Sequence, residues 1–461
     1  MVFSSLVFVF IYLPVTLAVY YAVPVRWRNP VLFVLSLAFY GWGEPAYIAL
    51  MLASIVSAYA FGFWIDKYRK TDRKKAKAFL AASLCVNLAF LLFFKYFNFF
   101  ASVFGAKGIP GLTLPVGISF YTFQIMSYSI DLYRGEVEKA KRFVPFGTYV
   151  TLFPQLIAGP IVRYKEICDQ LTGRRETLPG FASGVNRFVC GLSKKLVLGD
   201  GAAAAAEFFT AQNEFGGSVL GTWAAVVFYT FHIYFDFSGY SDMAIGLGRM
   251  FGFEIPENFD HPYVSRSITE FWRRWHITLS AWFREYVYIP LGGSRKGAGH
   301  TYFNLAVVWF LTGFWHGAGW NYIIWGVYFF VLLVIEKAFL GKTLKKLPLL
   351  GHLWTLFFAG VGWLIFFRTD LSALLADAGR LFGAGAASFA PEHPVVLLRL
   401  LPFALLCGFA CTGMPKKLFE KALSRFPALQ YALPFFTLVL TAVCTAYMVD
   451  DTFSPFLYYI F

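Results

Sequence analysis

The sequence predicts an all-α integral membrane protein with about 10–12 transmembrane helices, and three observations predict it. Of the 461 residues, 58% are apolar and only 14% are charged, whereas a soluble chain of this length carries far more charge. The apolar residues run in blocks, several of which reach the roughly 20 residues that a helix needs to cross the hydrocarbon core, where lipid offers backbone groups no partner. Finally, the basic residues gather in short connecting stretches. A formal net charge of +14 would point to nucleic acid in a soluble domain, but here it reads as the positive-inside pattern, with membrane lipid as the partner and no nucleic acid.

Taken in order, candidate spans lie at 3–22, 45–65, 78–98, 114–132, 145–162, 219–236, 303–316, 320–340, 352–367, 394–413 and 428–448. Residues 31–43 are apolar but short, running from Val31 into the turn Gly41–Trp42–Gly43–Glu44–Pro45, so they cross at a tilt or only dip in. The first block starts directly after Met1 and is followed by further spans, so it is expected to be a retained helix rather than a signal peptide. Lys67, Arg69, Lys70, Arg73, Lys74, Lys75 and Lys77 form the densest basic cluster and place that connection in the cytoplasm. Lys337, Lys342, Lys345 and Lys346 form a second, and Lys416, Lys417, Lys421 and Arg425 a third. The expected location is a bacterial cytoplasmic membrane, with the chain crossing it many times. No repeat and no long linker separates soluble parts, so residues 1–461 are expected to form a single membrane-embedded domain.

Two regions break the apolar pattern. Residues 163–200 mix basic residues with short apolar stretches, as interfacial helices do, and 251–302 do so more sharply. At 100° per residue, a helix over 266–286 puts Ile268, Trp272, Trp275, Leu279 and Trp282 on one arc and Arg266, Glu270, Arg273 and Arg284 opposite. His276 then falls about 60–80° from the apolar stripe, able to face a wet cavity.

His316 is the leading candidate for chemistry. It sits in Thr312–Gly313–Phe314–Trp315–His316–Gly317–Ala318–Gly319–Trp320–Asn321, between two apolar runs, where small residues permit close helix approach or access of a slender substrate. An ionisable group so placed is a functional hypothesis, against which stands a neutral histidine hydrogen-bonded between helices. A histidine titrating near neutrality can take a proton from an attacking hydroxyl and pass it to a leaving thiolate, as acyl transfer from a thioester requires, and no metal is needed. His276 would orient substrate or stabilise the oxyanion.

Asp236, Tyr240 and Ser241 close another apolar run at Phe231–Asp242, and Gln155 and Arg163 flank the Gly159–Pro160 break. Hydrogen bonding in the fold and service along a substrate path both remain open for these residues. His261, His300, His352 and His393 fall near expected loops or helix ends and are read as solvated, and the six cysteines as small core residues. There is no GxSxG elbow, P-loop or HExxH pattern, so a serine hydrolase, a nucleotide-driven pump and a zinc protease find little support.

Taken together, Phe153–Tyr164, Tyr234–Met243, Phe271–Ser280, Tyr288–Ser294, Gly313–Gly317 and the aromatic tail Pro455–Phe461 resemble the membrane-bound O-acyltransferases. The similarity is to the bacterial branch that serves alginate O-acetylation and teichoic acid D-alanylation. The resemblance implies helices, some re-entrant or interfacial, around a central tunnel. His316 matches the essential histidine of the family, His276 the second motif histidine, and Trp315 and Asn321 lie beside the former in supporting positions. It implies no bound cofactor. The donor would be acetyl-CoA or a related acyl thioester, whose phosphates cytoplasmic lysines and arginines would attract. The acyl group would leave on the outer side for a polysaccharide, directly or through an SGNH-type extracytoplasmic acetyltransferase.

Two other readings remain open. One is D-alanyl transfer from a carrier protein to teichoic acid, and the other is a transporter or flippase that makes no bond. Alginate, another exopolysaccharide, a secondary cell-wall polymer and peptidoglycan all present the hydroxyl an acceptor needs.

Overall fold

A computed structural model describes residues 1–214, 217–386 and 392–450, so the aromatic tail 455–461 lies outside the described residues. Helices dominate throughout. Among the described residues six helices are long and apolar enough to cross a membrane: Pro45–Tyr68, Arg73–Val103, Trp320–Lys346, Pro348–Phe367, Glu392–Ala410 and Leu429–Asp450. Phe104, Leu398, Phe435 and Leu438 are exposed on or beside these helices, as lipid-facing positions require. The all-α multi-pass membrane fold is therefore as the apolar runs predict.

Among the described residues the chain divides into two compact units, one formed by Met1–Phe188 with Tyr240–Pro256, the other by Val189–Gly239 with the residues from Glu257 to Asp450. The 32-residue helix Val219–Met250 passes from one to the other.

In the first unit, Ile48–Tyr68, Arg73–Val103 and Ile118–Arg134 pack against one another. Asp72 starts the second of these by accepting the Lys75 backbone N–H at 3.1 Å. Helix Arg28–Gly41 covers the doubtful segment 31–43. At 14 residues it is about 21 Å long, short of a perpendicular crossing. The expected span 145–162 is broken. Helix Phe143–Thr151 stops at Leu152, a single turn Phe153–Leu156 follows, and the chain then runs on without helix to Tyr164. Phe3, Phe8, Tyr12, Phe39 and Phe153 form an aromatic core around this break, with ring centroids 4.8–6.4 Å apart. A polar knot joins Tyr20, Arg28, Arg174 and Glu176: the Tyr20 hydroxyl and both arginines point at the one carboxylate.

In the second unit, helices Ala298–His316 and Trp320–Ile335 form a tight hairpin. A Cβ added to Gly313 would lie 2.3 Å from the Tyr322 carbonyl oxygen, and one on Gly326 would lie 2.4 Å from that of Trp309. Only glycine permits this approach, which fixes the end of the first helix against the second. Lys337, Lys342, Lys345 and Lys346 do not form a loop. The helix continues beyond Ile335 through a π-bulge, Glu336–Leu340, and on to Lys346.

Candidate active site

The amphipathic stretch 266–286 is not one helix. Helix Ile268–Arg274 ends at Trp275, which is extended, His276 adopts a left-handed backbone with φ 45°, and a second helix runs from Ile277 to Phe283. The cause lies in tertiary hydrogen bonding. The Asn258 carbonyl accepts the Ile277 N–H at 2.9 Å, and its side-chain oxygen accepts the Thr278 N–H at 3.2 Å and hydroxyl at 2.9 Å, so the second helix starts where Asn258 holds it. A non-glycine residue in this conformation costs energy, and such strain gathers at functional sites.

The first short helix is fixed at its other end. Glu336, only 3% exposed inside an otherwise apolar run, accepts the backbone N–H groups of Ile268 and Thr269 at 2.5 and 2.9 Å. It also accepts the Thr269 hydroxyl at 2.7 Å and the Trp354 indole N–H at 3.0 Å. A carboxylate at a helix N-terminus satisfies orphan donors and complements the helix dipole. Helix Ile268–Arg274 is thereby pinned at both ends, with His276 immediately beyond it.

His316 is the last residue of helix Ala298–His316 and is 4% exposed. Its Nδ1 lies 2.7 Å from the Thr312 carbonyl oxygen. A carbonyl can only accept, so the proton of the neutral ring sits on Nδ1 and the basic lone pair on Nε2. Rings confine it: Trp325 lies 4.9 Å away between centroids, Trp315 5.0 Å and Phe366 5.5 Å. His276, 1% exposed, packs edge-on against Phe237 at 4.8 Å and has Trp315 at 6.1 Å. Trp315 thus stands in ring contact with both histidines.

Both imidazoles line a cavity of about 240 Å³, together with Trp272, Trp309, Thr312 and Ser280. The sequence separation between the histidines closes in the fold. The remaining walls are largely apolar, with Thr269 as a further hydroxyl and Arg273 and Arg284 at exposed positions. A buried base with a defined tautomer in a mostly apolar cavity can remove a proton from a hydroxyl and return it to a leaving group.

The other sequence candidates have different surroundings. Asn321 donates to the Phe366 carbonyl at 3.0 Å, which ties the hairpin to helix Pro348–Phe367. Asp236 is 1% exposed and lies 3.1 Å from Lys195, itself fully buried and paired also with Asp200. This charged cluster leaves Asp236 outside the residues that line the cavity. Four more candidates belong to the first unit. The Gln155 amide donates to the Tyr149 carbonyl at 2.6 Å, Arg163 pairs with Glu166, and the Tyr240 ring stacks on Phe3 at 4.8 Å. Ser241 is buried beside Asp242, which binds Arg187.

Of the four histidines expected to be solvated, His261, His300 and His352 are half-buried and His393 is buried. His393 is 1% exposed with Nδ1 2.8 Å from the Ser218 hydroxyl, while His300 and His352 donate to the Leu291 and Ser265 carbonyls at 2.7 and 3.1 Å. His261 has the second left-handed backbone, at φ 47°. Among the cysteines, Cys407, Cys411 and Cys444 are buried as expected, but Cys85 and Cys190 are exposed.

Fold and site define a polytopic membrane protein with a histidine pair in a hydrophobic cavity. Residues 138–367 match the model of the MBOAT, membrane-bound O-acyltransferase family. A probable alginate O-acetylase of Pseudomonas putida is 42% identical over 84% of this chain and 81% of its own length. A peptidoglycan O-acetyltransferase of Helicobacter pylori is 34% identical over 84% and 81%. A teichoic acid D-alanyltransferase of Streptococcus thermophilus is 32% identical over 60% and 71%. The chain belongs to the membrane-bound O-acyltransferase family and is an O-acyltransferase.

Proposed function

We propose that the protein transfers an acetyl group from a cytoplasmic thioester, acetyl-CoA, to a hydroxyl of an extracytoplasmic polysaccharide, across the bacterial cytoplasmic membrane. The observation that carries the reading is the His316 ring, whose Nδ1–H is spent on the Thr312 carbonyl while the ring lines the cavity shared with His276. Nε2 of His316 takes the proton of the acceptor hydroxyl as its oxygen attacks the thioester carbonyl. The tetrahedral intermediate collapses with cleavage of the C–S bond, and the same proton passes to the departing sulfur, leaving ester and free thiol. His276 faces the same space and stabilises the oxyanion or orients the acceptor. No metal is called for.

Acetyl rather than D-alanyl transfer is favoured because the two relatives named for O-acetyl chemistry are matched over 84% of the chain, against 60% for the D-alanyltransferase. A direct acceptor and relay through an SGNH-type partner both fit this chemistry. The test uses proteoliposomes with labelled acetyl-CoA on one face and oligosaccharide, with and without such a partner, on the other. Label appearing as alkali-labile ester on the glycan supports the reading. Retention of all label as thioester under every combination contradicts it.

A further inference from the structure

A second polar recess lies in the same unit, lined by none of the residues of the histidine cavity. Thr210, Thr222, Tyr229, Phe367, Arg368 and Asp377 bound it, and it encloses about 20 Å³, room for one small polar group and not for a sugar ring. Lys342, Lys345 and Lys346 precede helix Pro348–Phe367, whose far end reaches the recess, so the positive-inside rule puts the recess at the outer face. The same helix end touches the catalytic base. The Phe366 ring lies 5.5 Å from that of His316, its carbonyl accepts the Asn321 amide, and Arg368 follows two residues later.

Charge in the recess does not balance. Helix Leu371–Arg380 brings Asp377, 3% exposed, against two arginines. Arg368 Nε donates to one carboxylate oxygen at 2.6 Å and Arg380 Nη1 to the other at 2.5 Å. Two guanidinium groups against one carboxylate leave a single net positive charge. Arg368 spends only Nε on Asp377, and its two Nη groups make no hydrogen bond among the described residues. A half-buried guanidinium with open donors favours an anion with two coplanar oxygens, and a single excess charge is matched by one carboxylate. The Tyr229 and Phe367 rings, 4.7 Å apart, and the Thr210 and Thr222 hydroxyls flank these donors, a mixed surface that fits the C–H faces and hydroxyls of a sugar.

We propose that Arg368, positioned by Asp377 and Arg380, binds a carboxylate of the acceptor glycan at the outer face, with the sugar ring outside the recess beside the exposed Phe367. The proposal rests on the acyltransferase reading above and names its acceptor class: a polysaccharide that carries carboxylates. Neutral polymers are poor ligands. An acidic segment of a protein partner is the competing anion.

Binding is measured with the full-length protein in lipid nanodiscs against three probes: an oligouronate, the same oligosaccharide with its carboxyls reduced to alcohols, and a glutamate-rich peptide. Wild type should bind the oligouronate about tenfold more tightly than the reduced sugar, the scale of a charge-assisted hydrogen-bonded pair. Arg368→Gln should abolish that preference while leaving the weak binding of the reduced sugar in place. Arg368→Lys, which keeps the charge without the fork, should fall between. Melting temperature checks that each variant is folded, and the wild-type comparison of the two sugars needs no variant. The proposal is overturned if wild type does not distinguish the two sugars, if folded Arg368→Gln still does, or if the peptide binds through Arg368 and displaces the oligouronate. In the same samples, His316-dependent thiol release from acetyl-CoA reports separately on the acyltransferase reading. Its absence would count against that reading while the carboxylate preference stays measurable.

Discussion

Glu336 and Thr269 are joined twice, by the Thr269 backbone N–H at 2.9 Å and its hydroxyl at 2.7 Å, both donating to Oε2 of the buried carboxylate. With the Ile268 N–H and the Trp354 indole as further donors, Glu336 decides where helix Ile268–Arg274 starts, and so where Trp272, Arg273 and His276 stand. Glu336→Ala strands four donors, each buried or partly buried. The expected cost is about 3 kcal/mol or more of stability, with turnover lost. Glu336→Gln keeps an acceptor and shape but gives up the charge, and should fall between alanine and wild type in both thermal unfolding and transfer rate.

The backbone of His276 makes a second prediction. Its left-handed conformation at φ 45° is tolerated by asparagine far better than by alanine or a branched residue. His276→Asn should therefore fold normally and, keeping a polar donor, stay within about tenfold of wild-type kcat, whereas His276→Ala should fall further by about another order of magnitude. Equal loss in both variants would show that the imidazole itself is indispensable. Asn258→Ala should resemble the alanine variant, because Asn258 holds the restart of the chain after His276.

The glycine crossing supplies a stability test that leaves the chemistry untouched in composition. Gly326→Leu forces a side chain against the Trp309 carbonyl, where even a Cβ has only 2.4 Å, and should displace the helix ending in His316, reducing both folding yield and activity. Gly299→Ala, with nothing within 4 Å of the added carbon, should be silent. Detergent-resistant yield and transfer rate, measured together, check both.

Burial raises the pKa of Glu176, but the Tyr20 hydroxyl, a backbone donor and Arg28 more than offset it, and the carboxyl is held below its ordinary value. The carboxylate therefore contributes stability that is complete above the unfolded-state pKa, and this is lost as the pH falls through the depressed folded-state value. Melting temperature should decline once the pH is taken below the ordinary carboxylate value of about 4.5, and Glu176→Gln should lower it at neutral pH while making it less dependent on pH across that acid window.

What the sequence made legible follows from range. Blocks of apolar residues reveal helices because crossing a membrane is a local requirement, and His316 stood out because an imidazole between two apolar runs is visible without knowing its neighbours. The break at Trp275–His276 was hidden. The apolar arc of Ile268, Trp272, Trp275, Leu279 and Trp282 continues through it, while its cause, Asn258, lies in a preceding loop. His393 looked solvated for the same reason, since its partner Ser218 is remote in the chain. Glu336 did leave a signal, a carboxylate amid the apolar run of 320–340, which is uncommon without a role. Its partners Ile268, Thr269 and Trp354 were not legible, because they belong to other helices.

The central claim is that His316 performs proton transfer in thioester cleavage. It is tested most directly by single-turnover reaction of the lipid-reconstituted protein with labelled acetyl-CoA and acceptor, comparing wild type with His316→Ala. The variant should bind the donor as wild type does and release thiol at least 100-fold more slowly, the scale of a lost general base. Thiol release at a similar rate in both proteins, with the same labelled ester formed, would contradict the account and move the chemistry away from this histidine.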